Sequence, residues 1–134
     1  MIGSIRGKII FKTDKFLIVE TGGVGYKTSV SLDTLTKAKQ GEEIMLFVHT
    51  HVREDALDLY GFLERKELEF FEMLINVSGI GPKSALAILG IASIDTLRRA
   101  IGTGDTSYLT KISGIGKKTA ERIVIDLIDK MEGE

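Results

Sequence analysis

The stretch SGIGPK at 78–83 returns as SGIGKK at 113–118, thirty-five positions later. When residues 77–89 are aligned with residues 112–124, seven of thirteen positions are identical: Ser, Gly, Ile, Gly, Lys, Ala and Ile. A single Gly-x-Gly between two helices can be ordinary turn chemistry, but a second copy that keeps Gly, Ile, Gly and Lys together marks a repeated structural unit. The unit reads as a helix-hairpin-helix. In each copy an apolar helix is expected to run into S-G-I-G, the isoleucine points into the helix pair, and both glycines are expected to use positive-φ backbone that other residues adopt poorly. The amides of so tight a hairpin, with the free amides that open the next helix, form a concave anion site. Lys83 in the first copy, and Lys117 and Lys118 in the second, add positive charge at its rim. One phosphate per unit is predicted, and two such sites on one rigid body suit the backbone of a duplex across a groove.

Two nucleotide-binding motifs come close and fail. Gly79, Gly81 and Ser84 nearly make the dinucleotide fingerprint, yet the segment before them reads as helix where that motif needs a strand. The phosphate loop of NTPases needs a glycine five positions before its Gly-Lys, and Lys111 stands there ahead of Gly116 and Lys117. ATP hydrolysis is not expected, and no cofactor is implied.

The first half of the chain has a different period. Val24, Tyr26, Thr28, Val30 and Leu32 alternate with Gly25, Lys27, Ser29 and Ser31, which predicts a strand over 24–32. Ile44, Leu46, Val48, Thr50 and Val52 alternate in the same way, Ile5–Phe11 and Phe16–Val19 are β-branched runs around a polar turn, and Leu57–Leu63 supplies a fifth strand. Five short strands, with Gly3, Gly7, Gly22, Gly23, Gly25 and Gly61 where a small barrel must bend, predict a closed OB-type barrel, an open meander being the alternative. After Leu63 the period becomes helical, with Leu68, Phe71, Leu74 and Ile75 set among Glu67, Glu69 and Glu72. Pro82 suits a first helical position, Ser93 and Asp105 suit N-caps, and Ala120, Ile123, Val124, Leu127 and Ile128 form an apolar stripe. The expected fold class is α+β: a barrel over 1–63, then an all-α tandem helix-hairpin-helix domain over 64–134.

Composition narrows the function classes. The absence of cysteine excludes disulfides and thiolate metal sites. No apolar run approaches the roughly 18 residues that cross a bilayer, and Met1 leads straight into IGSIRGKIIF without a signal-like leader, so a cytoplasmic protein with no membrane partner is expected. With 18 basic against 19 acidic residues, the formal charge of −1 is not that of a generally basic nucleic-acid binder. Any such role must come from local geometry.

Other residue groups carry rival readings. His49 and His51 share one strand face as two metal ligands would, but no third ligand is evident, and no metal site is assigned. Glu54, Asp55 and Asp58 in VREDALDLYGF suit a metal-dependent nuclease or a solvated hairpin tip. Phe11, Phe16, Tyr26, Phe47, Tyr60 and Phe62 suit base stacking or, given their polar neighbours, core filling. Glycosylases also use helix-hairpin-helix modules, but Asp126 and Asp129 lie within the second hairpin's own helix rather than beyond it. A DNA repair nuclease or glycosylase module, and a protein-interaction module that keeps the hairpin shape without DNA affinity, remain as alternatives.

Taken in order, GGVGY at 22–26, VREDALDLYGF at 52–62 and the two hairpins make the chain resemble the RuvA family of bacterial Holliday-junction-binding proteins, over essentially its whole length. The resemblance implies an OB barrel, a tandem helix-hairpin-helix domain and a flat homotetramer, or an octamer of two tetramers, that holds an open four-way DNA junction for branch migration in recombination and repair. It implies phosphate contacts at Gly79, Gly81, Lys83 and Ser84 in the first hairpin and at Gly114, Gly116, Lys117, Lys118 and Thr119 in the second. It reassigns Glu54 and Asp55 to an acidic pin at the tetramer centre. The implied role is non-catalytic, with a RuvB motor ATPase and a RuvC-type resolvase as partners. The family continues into a third domain that contacts the motor, whereas this chain ends at MEGE, so that domain is expected to be missing here.

Overall fold

The computed structural model describes residues 1–131, and the closing MEGE segment lies outside them from Glu132 onward. The chain divides into two compact units, Met1–Leu68 and a second from Glu69 onward. The first contains β1 (Ser4–Lys12), β2 (Phe16–Thr21), β3 (Val24–Val30), α1 (Leu32–Lys37), β4 (Glu43–Arg53) and β5 (Ala56–Phe62). These strands close into a barrel in the order β1-β2-β3-β5-β4, antiparallel throughout except where β3 meets β5. That order, with a helix between β3 and β4, is the OB-type barrel, and closure leaves no strand edge to pair with another chain.

The core is aliphatic and follows the strand period. Leu17 and Val19 on β2, Leu46 and Val48 on β4, and Ile5, Ile9, Val30 and Leu59 all turn inward. Full burial of each such side chain contributes about 1.5–3 kcal/mol. The buried Thr50 is not left polar and unpaired: its hydroxyl donates to the Ile2 carbonyl at 2.7 Å and accepts the Ile2 amide at 3.1 Å. This pins the start of the chain across β4.

Two expectations for the barrel change. β3 ends at Val30 rather than Leu32, because Ser31 accepts the Thr34 amide at 3.3 Å and caps α1, leaving Leu32 exposed. Hydroxyl capping competed with the period-two pattern and won. The aromatic residues also do not all fill the core. Tyr60 and Phe62 are buried and Tyr26 packs partly against the core, but Phe11 is 49% exposed.

Helix α2 (Arg65–Ile75) spans the division at Leu68, and the second unit continues with α3 (Pro82–Ile91), α4 (Ile94–Gly102), α5 (Thr106–Leu109) and α6 (Lys117–Leu127), with a 3₁₀ turn at Ile128–Met131. The caps fall where the sequence put them. Pro82 opens α3, Ser93 accepts the Thr96 amide at 3.1 Å, and Asp105 accepts the Tyr108 amide at 3.1 Å. The Ser107 hydroxyl and the Tyr108 amide hold the Asp105 carboxyl below the usual carboxylate range. That cap is therefore at full strength above this range and weakens as the pH falls through it. α5 is a single turn, shorter than the apolar helix expected before the second hairpin, and Ile128 leaves the α6 stripe for the 3₁₀ turn. Among the described residues no helix is long and apolar enough to cross a membrane.

Of the barrel glycines, Gly7 faces the tightest approach, since an added Cβ would run into the Glu20 carbonyl and lie 2.7 Å from the Thr21 hydroxyl oxygen. Gly3 faces open space. Gly7→Ala is therefore expected to lower stability by about 1–3 kcal/mol, as overpacking does. Gly3→Ala should stay within about 0.5 kcal/mol of the parent in the same urea titration.

Candidate nucleic-acid interface

The two hairpins repeat one another bond for bond at the thirty-five-residue offset. Val77 donates its amide to the Leu74 carbonyl at 3.0 Å, and Ile112 donates to Leu109 at 3.1 Å. Ile80 donates to Val77 at 3.1 Å, and Ile115 to Ile112 at 3.1 Å. Ala85 donates to Gly81 at 3.0 Å, and Ala120 to Gly116 at 2.9 Å. Burial repeats too: Ile80, Ala85 and Ile88 are buried in one copy, and Ile115, Ala120 and Ile123 in the other. The isoleucine of each SGIG is thus an anchor, while the glycines on either side are exposed.

The two glycines of each hairpin do different work. Gly79 and Gly114 have φ of 92° and 90°, a region that costs other L-residues roughly 1–2 kcal/mol. Gly81 and Gly116 were expected to share it and do not. Their φ values are −94° and −86° with extended ψ, and an added Cβ at either would meet nothing within 4 Å. Neither backbone conformation nor packing demands glycine there. Both are helix N-caps without a side-chain cap bond, although Ser, Asp or Asn at an N-cap is the usual way to satisfy the first amides. The outcome is a pair of helix starts whose N–H groups stay bare. At α3 these belong to Lys83 and Ser84, since Pro82 has none, and at α6 to Lys117, Lys118 and Thr119.

The two hairpin units also meet. A Cβ on Gly79 would lie 3.7 Å from the Thr119 hydroxyl, so the tip of the first hairpin abuts the opening turn of α6. An open cleft of about 340 Å³ runs beside this contact, lined by Ser78, Lys118, Thr119, Glu121, Arg122 and Ile125. Lys83, Lys117 and Lys118 are exposed. Arg122 lies one turn beyond Lys118 on the same face and keeps a long 3.8 Å ion pair to Asp126, which at that exposure is worth little. Ser78 and Arg122 were not among the residues singled out from sequence. The i,i+4 spacing from Lys118 was a signal for Arg122, whereas Ser78 joins only through the meeting of the repeats.

In the barrel, Arg53 pairs with Ala56 across the strands, which leaves Glu54 and Asp55 as the two-residue turn between β4 and β5. Asp58 is engaged by Arg53 at 3.1 Å. Glu54 and Asp55 are exposed and form no ion pair among the described residues. The rings of His49 and His51 stand 6.0 Å apart, and among the described residues no three of His, Asp and Glu gather as metal ligands.

Family comparisons divide the chain along the same lines. Residues 1–61 match the model described as the RuvA N-terminal domain, and residues 71–129 match the SAM-like helix-hairpin-helix tandem. A protein of Acetivibrio thermocellus is 45% identical over 135 residues, covering 100% of this chain and 67% of that relative. One from Solibacter usitatus is 48% identical over 133 residues, covering 98% and 67%, and one from Brevibacillus brevis is 44% identical over 133, covering 99% and 65%. Each of these relatives is named "Holliday junction branch migration complex subunit RuvA", and the chain spans about two thirds of their length. With its barrel matched by one model, its paired hairpins by the other, and this identity running from end to end, the chain belongs to the RuvA family.

Proposed function

We propose that this chain binds four-way DNA junctions by their phosphate backbone, as the junction-binding and non-catalytic part of a branch-migration assembly. The observation that carries this is the pair of glycine N-caps, Gly81 and Gly116, which leave two helix starts uncapped where the chain itself has no need of glycine. A phosphate on each start accepts from bare amides and meets the positive end of the helix dipole. Hydrogen bonds to a charged group contribute about 1.5–3 kcal/mol each. Gly79, Gly81, Lys83 and Ser84 hold one phosphate, and Gly114, Gly116, Lys117, Lys118 and Thr119 the other. Amides and lysines contact no base edge, so the grip is independent of sequence.

Selectivity for a junction comes from assembly as a homotetramer, with Glu54 and Asp55 of each subunit forming an acidic pin around the crossover. One carboxylate and one phosphate about 10 Å apart in water repel by only about 0.4 kcal/mol. The pin acts because carboxylates from every subunit add up within roughly one Debye length. A RuvB-type motor ATPase supplies the chemical energy and a RuvC-type resolvase acts on the same junction. The names carried by the relatives support the junction and the complex. The cell interior is the compartment in which this substrate exists.

Four outcomes are expected. In gel shifts the chain should bind a four-way junction more tightly than linear duplex of equal length, and equal affinity would overturn the proposal. Gly116→Asp should raise stability by a few tenths of a kcal/mol, because Asp is the better N-cap, yet weaken DNA binding by placing a carboxylate where the phosphate belongs. Lys118→Glu should make the fall of log affinity with log salt shallower, by about 0.9 in slope per lost phosphate contact. The double variant Glu54→Gln, Asp55→Asn should keep or raise junction affinity while disturbing strand exchange. Loss of the tetramer in sedimentation would instead make those carboxylates structural.

A further inference from the structure

The outer face of the barrel across β1, β2 and β3 presents two aromatic rings that the core does not use. Phe11 on β1 is 49% exposed, and its ring centroid lies 6.5 Å from that of the half-buried Phe16 on β2, tilted by 43°. A shift of register between Ile9 and Phe11 turns β1 here, so that Ile9 points into the core while Ile10 and Phe11 both reach solvent. Phe11 pairs with Ile18, and Ile18 with Lys27, so one cross-strand row runs from ring to aliphatic to cation. The Lys27 ammonium stands 4.6 Å from the centre of the Phe16 ring. Lys15, next to Phe16 in the β1–β2 turn, is exposed, whereas the Lys12 ammonium is spent on the Ala38 carbonyl at 2.7 Å. The turn is held by Thr13. Its hydroxyl oxygen accepts the amides of Lys15 at 3.1 Å and Phe16 at 3.0 Å, and its own amide donates to the Phe16 carbonyl at 3.0 Å.

We propose that this face binds an unpaired polynucleotide strand, with bases stacked on Phe11 and Phe16 and phosphates on Lys15 and Lys27. Exposed rings on a preorganised sheet, with cations beside them, are how small barrels hold single strands without reading sequence. A second copy of the chain is the poorer occupant. Contact between copies would bury the Lys27 ammonium at the centre of the patch, and such centres are depleted in lysine. The proposal rests on barrel residues alone and does not depend on the hairpins.

The test uses the 134-residue chain at low salt with two labelled probes, an oligothymidylate of about 12 nucleotides, within the span of one barrel, and an abasic strand of equal length. The thymidylate should bind more tightly than the abasic strand. Phe11→Ala and Phe16→Ala should each weaken thymidylate binding by about 5- to 150-fold while leaving the abasic strand and linear duplex unchanged. Lys27→Gln, at an exposed position that poses no risk to folding, should weaken both single strands. Gly116→Asp should leave the preference for thymidylate over the abasic strand intact, which separates this site from the hairpins. Equal binding of the two probes, or thymidylate affinity indifferent to Phe11→Ala, would overturn the proposal. So would dissociation of an oligomer by Phe11→Ala in sedimentation, which would assign the face to a second copy.

Discussion

The second unit depends on one alternation of burial: exposed glycine, buried isoleucine, exposed glycine. Ile80 and Ile115 are driven inward by the hydrophobic effect, worth about 1.5–3 kcal/mol for each side chain. Gly79 and Gly114 make the reversal sterically accessible, and their positive φ turns the chain so that the following helix starts at the surface. Because each buried anchor sits one residue before the N-cap of the helix whose first amides are bare, those amides are aimed before any ligand arrives. Little ordering then remains to be done on binding, and this is the cost that most reduces the affinity of loop-borne sites.

The formal charge of −1 is a sum over the whole chain and says nothing of the local fields. Charges separated by more than about 8–10 Å at physiological salt scarcely sense each other. The neighbourhood of the α6 start is set by Lys117, Lys118 and the bare amides, with Glu121 and Asp126 on later turns and Asp126 loosely paired to Arg122. On the barrel, Glu54 and Asp55 occupy a turn whose nearest cation, Arg53, is engaged with Asp58. A near-neutral chain thus carries basic and acidic tips on separate units.

Much of this was legible in the sequence, because the signals were strong and local. The strands of the barrel, the change of period after Leu63, the caps at Pro82, Ser93 and Asp105, and the repeat itself all rest on patterns spanning a few residues. Where the sequence misled, a second interaction competed with the pattern. Ser31 continues the alternation of β3 on paper, but its hydroxyl can cap a helix, and α1 begins there instead. Phe11 sits in an apolar run that reads as core, yet the register shift after Ile9 turns it outward. The second glycine of each hairpin looks identical in chemistry to the first, and only its φ separates a conformational requirement from an uncovered helix start. The approach of Gly79 to Thr119 could not be read at all, since it arises from how the repeats pack.

The two hairpins are not equal partners, although their hydrogen bonds repeat. The first opens on Pro82, which fixes φ for the helix start but removes one donor, and has a single lysine in its opening turn. The second opens on Lys117, which restores that donor, and adds Lys118 beside it. A phosphate at α6 therefore meets one more amide and one more cation than a phosphate at α3. Under the proposed function, α6 supplies the larger part of each subunit's affinity and α3 chiefly fixes the direction in which the backbone runs. Neither hairpin can tell a junction arm from an ordinary duplex, because both present the same phosphates. Under the same proposal, discrimination comes from assembly, with several such clamps held at fixed angles around a centre that repels the strands between them.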